Sequence, residues 1–198
     1  MFFWICFILS FLPLFLLFPV KKIGKKNLKS LKGENFIISC NHMSNMDPVM
    51  LDISLKRKLR YLAKIELFKK KFTSAVLKSY GGIPVDRGTN DTRAIRDVFK
   101  VLNNDKNLCI FPQGKRMPTP EIDSNTAKDG VAMFAIRTNT PVVPMMFDRK
   151  IKIFRRTKLL IGQPLYPDEA RKKDKDYIVE FADKITDAMA KLLEGDKK

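Results

Sequence analysis

From residue 36 onward the chain alternates short runs rich in Ile, Val and Phe with longer stretches whose apolar residues recur at helical spacing. A sheet covered by helices is the arrangement that buries such a pattern. The runs Phe36–Cys40, Leu59–Ala63, Gly82–Val85, Leu108–Phe111, Val142–Phe147 and part of Ile151–Ile161 predict strands. Between them Pro48–Lys56, Thr73–Tyr80, Asn90–Asn103 and Thr126–Thr138 predict helices, and Ile178, Phe181, Ile185, Met189 and Leu192 form one apolar stripe near the C-terminus. The fold class expected is α/β, with a mixed, largely parallel sheet flanked by helices. At 198 residues the chain suffices for one such domain with a substantial core and is short for two.

Residues 1–20 carry no charged side chain. A straight helix of that length would just cross a hydrocarbon core of ~30 Å. No basic segment precedes the apolar run and no small-residue cleavage site follows it, which argues against a removable signal peptide. Pro13 and Pro19 interrupt a straight span, so a broken helix seated in one leaflet is the other form such an anchor takes. Lysines 21, 22, 25, 26 and 29 come next, where they are retained on the cytoplasmic side and attract anionic headgroups. The expected organisation is a membrane anchor over residues 1–24 and a catalytic or binding domain over 25–198, with an N-terminal membrane-associated helical segment, at the cell membrane and facing the cytoplasm.

Charge points the same way. Thirty-eight Lys and Arg against 21 Asp and Glu give a net +17, which favours a polyanionic partner. No nucleic-acid motif accompanies that charge, so the partners expected are anionic membrane lipids and acidic or phosphorylated substrates, not nucleic acid. The clusters around Lys69–Lys71 and Arg171–Lys173 read as solvated faces. Cys6, Cys40 and Cys109 have neither metal-site nor disulfide-scaffold spacing and read as reduced thiols.

The single histidine, His42, sits just past the first predicted strand and five positions before Asp47. Histidine is the side chain whose ordinary pKa suits proton transfer near neutrality. Asp47-Pro48 reads as a helix start, with Asp as N-cap and Pro at the first helical position, and Ser44 as a capping residue. A cap alone accounts for Asp47. The same short turn also returns a carboxylate toward His42, where it would orient one ring nitrogen and stabilise the imidazolium. The two roles are compatible.

Asn41-His42 with Asp47 resembles the signature of the glycerolipid acyltransferases, specifically the 1-acyl-glycerol-3-phosphate acyltransferase family. Three further blocks follow in that family's order: Gly81-Gly82-Ile83-Pro84-Val85-Asp86-Arg87, Phe111-Pro112-Gln113-Gly114-Lys115-Arg116 and Pro141-Val142-Val143-Pro144. The resemblance covers about residues 30–165. The third block departs from the family's usual Phe-Pro-Glu-Gly-Thr-Arg, since Gln113 replaces the glutamate and Lys115 the threonine. The resemblance implies transfer of a fatty acyl group from acyl-CoA or acyl carrier protein to the sn-2 hydroxyl of 1-acyl-glycerol-3-phosphate, giving phosphatidic acid. His42 would be the base and Asp47 its orienting partner. The lysophospholipid acceptor would be held by Arg87, Gln113, Gly114, Lys115 and Arg116, with arginine suited to bidentate phosphate contact. No metal or resident cofactor is expected, because the thioester is already activated. Cys40 as an acyl-carrying nucleophile, an acceptor other than lysophosphatidic acid, and a non-catalytic membrane adaptor are the rival expectations.

Overall fold

A computed structural model of the chain describes residues 14, 16–86, 88–89, 91–122 and 129–197. Seven strands form one sheet in the order β1-β7-β6-β2-β5-β3-β4. They are β1 Val20–Ile23, β2 Ile37–Cys40, β3 Arg60–Lys64, β4 Gly82–Val85, β5 Leu108–Ile110, β6 Val142–Phe147 and β7 Thr157–Ile161. Strands β2 to β6 all run parallel. β7 is antiparallel to β6, and β1 pairs with β7 in parallel. The helices are α1 Asp47–Leu55, α2 Lys71–Ser79, α3 Thr92–Leu102, α4 Gly130–Thr138 and α5 Asp176–Lys197. This is the expected α/β fold with a largely parallel sheet.

Both faces of the sheet are covered, which is why β2 and β6 are buried at every residue and do not alternate. Ile37 and Ile38 show the consequence. Ile37 packs under α3, α4 and α5 with Val98, Leu108, Phe134 and Phe181, while Ile38 joins Met50 and Leu51 of α1 on the other face. The C-terminal stripe is a 22-residue helix, but its most buried line is Tyr177, Phe181, Ile185, Met189 and Leu193, at spacings of four. Ile178 and Leu192 flank that line, partly buried.

The segment assigned to the anchor ends in sheet. Val20–Ile23 is an edge strand whose burial alternates, and its Lys22 Nζ donates to the Ser54 carbonyl of α1 at 2.9 Å. Two lysines in a four-residue strand are the kind of sequence that discourages further edge pairing, and they hide the strand from a pattern search. No helix among the described residues is long and apolar enough to cross a membrane. Of the anchor expected over residues 1–24, residues 1–13 and 15 lie outside the described residues, as do Arg87 and the start of the helix predicted from Thr126.

Candidate active site

β2 is the middle strand of the sheet, with three strands on either side, and the chain leaves its C-terminal end through Asn41-His42. That is where open parallel sheets place their ligands. Asn41, 1 % exposed, fixes the exit. Its Oδ1 accepts from the Phe147 N–H at 2.8 Å, and its Nδ2 donates to the carbonyls of Phe147 at 2.9 Å and Pro120 at 3.1 Å. One side chain therefore ties β2 to the end of β6 and to the loop after β5.

His42 follows, partly exposed, with Nδ1 2.9 Å from Asp47 Oδ2. Asp47 is fully buried, and the same Oδ2 accepts the N–H groups of Met43 at 2.6 Å and Ser44 at 2.7 Å. The carboxylate thus faces back into the preceding turn. The helix opens at Asp47 with Met46 at the capping position and no side-chain cap, and Ser44 Oγ accepts instead from the Met46 N–H at 3.2 Å. The expected Asp47 cap is corrected on this geometry: its oxygen serves backbone donors upstream of the helix and the imidazole, not the helix's own first turn. With Nδ1–H donated to Asp47, Nε2 is the nitrogen available to take a proton.

The loop after β5 closes over this turn. The Phe111 ring stacks on the His42 ring with centroids 4.2 Å apart and planes 19° apart. The Met117 N–H donates to the His42 carbonyl at 2.8 Å, and Arg116 Nη1 donates to Asn45 Oδ1 at 2.9 Å. Gly114 turns at φ +65°, a conformation that favours glycine, and its N–H donates to the Phe111 carbonyl at 2.9 Å. Lys115 and Arg116 are exposed. Gln113 is not. It is 5 % exposed, and among the described residues its Nε2 reaches only the Glu121 carbonyl at 3.4 Å and its buried Oε1 has no hydrogen-bond partner. The structure therefore brings Gln113, Gly114, Lys115 and Arg116 onto the loop that covers His42, while Arg87 lies outside the described residues.

Two neighbours carry more than the sequence suggested. Phe111 forms one wall of the imidazole's environment, and Tyr61 lies parallel beyond it at 6.3 Å. The Tyr61 hydroxyl sits 2.8 Å from the Pro48 carbonyl and 2.9 Å from Asp52 Oδ1. Burial pushes the Asp52 carboxyl up to about 7. A single phenolic proton cannot serve both acceptors. The hydroxyl donates to one or the other, and Asp52 Oδ1 also accepts the Leu59 N–H at 3.0 Å. An aromatic two residues past an apolar strand start was the only sequence signal for Tyr61. Cys40, raised as a nucleophile, is fully buried, and burial pushes its thiol well above the ordinary range, so it is packed and unreactive.

A histidine–aspartate pair on a βα turn, under an aromatic ring and beside a basic loop, is equipped to deprotonate a hydroxyl. The acyltransferase family model matches residues 19–148, which span the pair and every one of these elements. The chain belongs to the acyltransferase family. This acyltransferase is 31 % identical over 153 residues to a 1-acyl-sn-glycerol-3-phosphate acyltransferase of Bacillus subtilis, covering 74 % of each chain. It is 29 % identical over 185 residues to a protein of that name from Saccharomyces cerevisiae, covering 88 % of the present chain and 59 % of the yeast one. The crystal structure of the 1-acyl-sn-glycerophosphate acyltransferase of Thermotoga maritima shares the fold, with a TM-score of 0.69 at 24 % identity over 96 % of this acyltransferase and 77 % of that chain.

Proposed function

We propose that this acyltransferase acts at the membrane and moves a fatty acyl group from a thioester to the sn-2 hydroxyl of 1-acyl-glycerol-3-phosphate, forming phosphatidic acid. The observation that carries the reading is the 2.9 Å contact between His42 Nδ1 and a carboxylate already fixed by two backbone N–H groups. In the reaction His42 Nε2 takes the acceptor's hydroxyl proton as the alkoxide oxygen attacks the thioester carbonyl. The tetrahedral intermediate then expels the thiolate, which receives that proton from the imidazolium. Asp47 balances the imidazolium throughout.

The acceptor phosphate is assigned to Arg116 and Lys115 on the covering loop, with Arg87 as the third cation. Acyl-CoA and acyl carrier protein both supply the thioester in this scheme. The names of the relatives support the lysophosphatidate acceptor. Lipid products of the purified protein, given labelled acyl donor and a panel of acceptors, test the proposal. Labelled phosphatidic acid from lysophosphatidate is the expected product. Acylation only of glycerol 3-phosphate or of a lysophospholipid with a larger headgroup would overturn the acceptor, and no product from any acceptor would overturn the enzyme.

A further inference from the structure

The strand directions bring four chain segments to one edge of the sheet. β2, β3 and β6 are parallel, so His42, the 3-10 turn Ile65–Phe68 with the start of α2, and the loop 148–156 all leave from that edge. β1 runs the other way, and its first residue, Val20, pairs with Thr157, so the chain enters the sheet there as well.

Two of these segments hold large apolar side chains out in solvent. After β3, Leu67 is 50 % and Phe72 80 % exposed; after β6, Ile153 is 58 % and Phe154 77 % exposed. Helix α2 has no buried residue at all, whereas the β6–β7 loop is pinned from below by buried Ile151. Phe154 adopts φ +57°, a conformation that bulky side chains rarely take, with its N–H donated to the Leu17 carbonyl at 2.6 Å.

Cations accompany both pairs. Four lysines lie between Lys64 and Lys71 and five Lys or Arg between Arg149 and Arg156, against the carboxylates Glu66 and Asp148. Glu66 pairs with Lys64 at 3.0 Å and Asp148 with Arg149 at 2.8 Å, leaving the other cations of each set in excess.

We infer that this edge is a docking face for an anionic bilayer, with Phe72 and Phe154 as two insertion points on either side of His42. The inference rests on the proposed lipid acceptor but names a surface outside residues 1–20. Aromatic rings beside lysine and arginine stems match the two zones of a bilayer surface, apolar below and phosphate-rich above. In that pose the C-terminal end of β2 faces the lipid, and an acceptor's hydroxyl reaches His42 without leaving the interface.

The test uses the full chain with its single tryptophan removed, Trp4→Phe, and one reporter at a time: Phe72→Trp, Phe154→Trp, or Asn104→Trp on the opposite edge, between α3 and β5. The vesicles contain equal parts phosphatidylglycerol and phosphatidylcholine brominated on its acyl chains. Emission at 72 and 154 falls by roughly half or more if the rings sit about 5–10 Å into the headgroup boundary, while that at 104 holds. Unquenched emission at 72 and 154, as for docking to an acidic protein, or equal quenching at 104, overturns the face. A second arm compares Phe72→Ser/Phe154→Ser with wild type on two acceptors, a vesicle-embedded lysophosphatidate and a short-chain one dissolved as monomer. The double variant loses about ten-fold on the first and stays within about two-fold on the second, since one buried ring contributes enough for such a factor. Equal losses on both count against docking. Absent turnover by wild type on either acceptor overturns the acceptor reading, and the quenching arm still decides the face.

Discussion

Helix α1 buries two carboxylates completely, Asp47 in its first turn and Asp52 five residues on, and they are dressed for opposite tasks. Asp47 collects two backbone N–H groups and the His42 ring on one oxygen, at the end of the helix whose dipole favours an anion. Asp52 has one backbone N–H, from Leu59 at 3.0 Å, and a phenol whose proton is also claimed by Pro48. Burying a carboxylate without enough donors costs more than protonating it, and the Asp52 carboxyl is accordingly pushed up to about 7. One helix thus supplies a carboxylate held by three donors at the catalytic histidine and, at its other end, a donor-poor carboxyl with a raised pKa that locks it to β3. The donor count decides which is which, not the depth of burial.

The largest effect expected is at the dyad. His42→Ala should lower kcat by about 10²–10⁴-fold, the range of general-base assistance, while the protein stays folded because the side chain is partly exposed. A variant within a few-fold of wild type would end the mechanism. Asp47→Asn comes next. Its amide oxygen can still accept the Met43 and Ser44 N–H groups, but the charge that balances the imidazolium is gone, so kcat should fall by about 10–10²-fold. The amide nitrogen would occupy the place of Oδ1, which is buried without a partner among the described residues, so a stability loss of about 1–3 kcal/mol should accompany it. Full activity with that stability loss would reduce Asp47 to a structural residue.

How much of this was legible beforehand follows from where the information lies. The pattern matches β6 residue for residue and β2 to within one, because a strand buried on both faces is a near-continuous apolar run, broken in β2 only by Ser39. β1 was invisible, since a lysine-bearing edge strand has no such run. His42, Asp47 and the covering loop stood out by residue type and order. The direction in which Asp47 turns its oxygen did not, because Asp-Pro reads the same whether the side chain caps its helix or faces away. The motif places Gln113 at the acceptor, where the family's glutamate would stand. Its burial with an unpartnered Oε1 means that a glutamate there would be a desolvated charge, a cost that side-chain size alone does not reveal. Asn41 and Phe111 act through contacts more than 60 residues away in sequence, which no local pattern encodes.

Asp52→Asn sharpens the other half of the comparison. In the fold the neutral acid is favoured up to about 7, while the unfolded chain releases the proton near the ordinary carboxylate value of 3.8. Between those values the unfolded chain holds fewer protons, so this group makes the wild type less stable as pH rises, by up to about 1.4 kcal/mol per pH unit, with no further loss above about 7. The variant should be flatter across that window in a series of Tm measurements, with kcat/KM within a few-fold of wild type. Parallel Tm–pH profiles for the two proteins would mean that Asp52 is ionised in the fold.

The smallest effect expected tests whether the two ends of α1 communicate. Phe111 lies between them, stacked on His42 at 4.2 Å and parallel to Tyr61 at 6.3 Å. Stacked pairs contribute about 0.5–1.5 kcal/mol beyond buried area, so Phe111→Leu, which keeps most of the volume, should lower kcat by roughly 2–10-fold if the ring holds the imidazole in register with Asp47. Loss of core packing alone would give a similar number, so the decisive measurement is a double-mutant cycle with Asp47→Asn. If the ring acts by orienting the His42–Asp47 contact, its loss should matter less once the carboxylate is gone, leaving a coupling of about 0.5 kcal/mol or more in the kcat cycle. Additive effects would confine Phe111 to packing. The same cycle with Asp52→Asn should then be additive, because Asp52 touches Tyr61 and not the imidazole; coupling there instead would show that the neutral acid reaches the base through the two stacked rings.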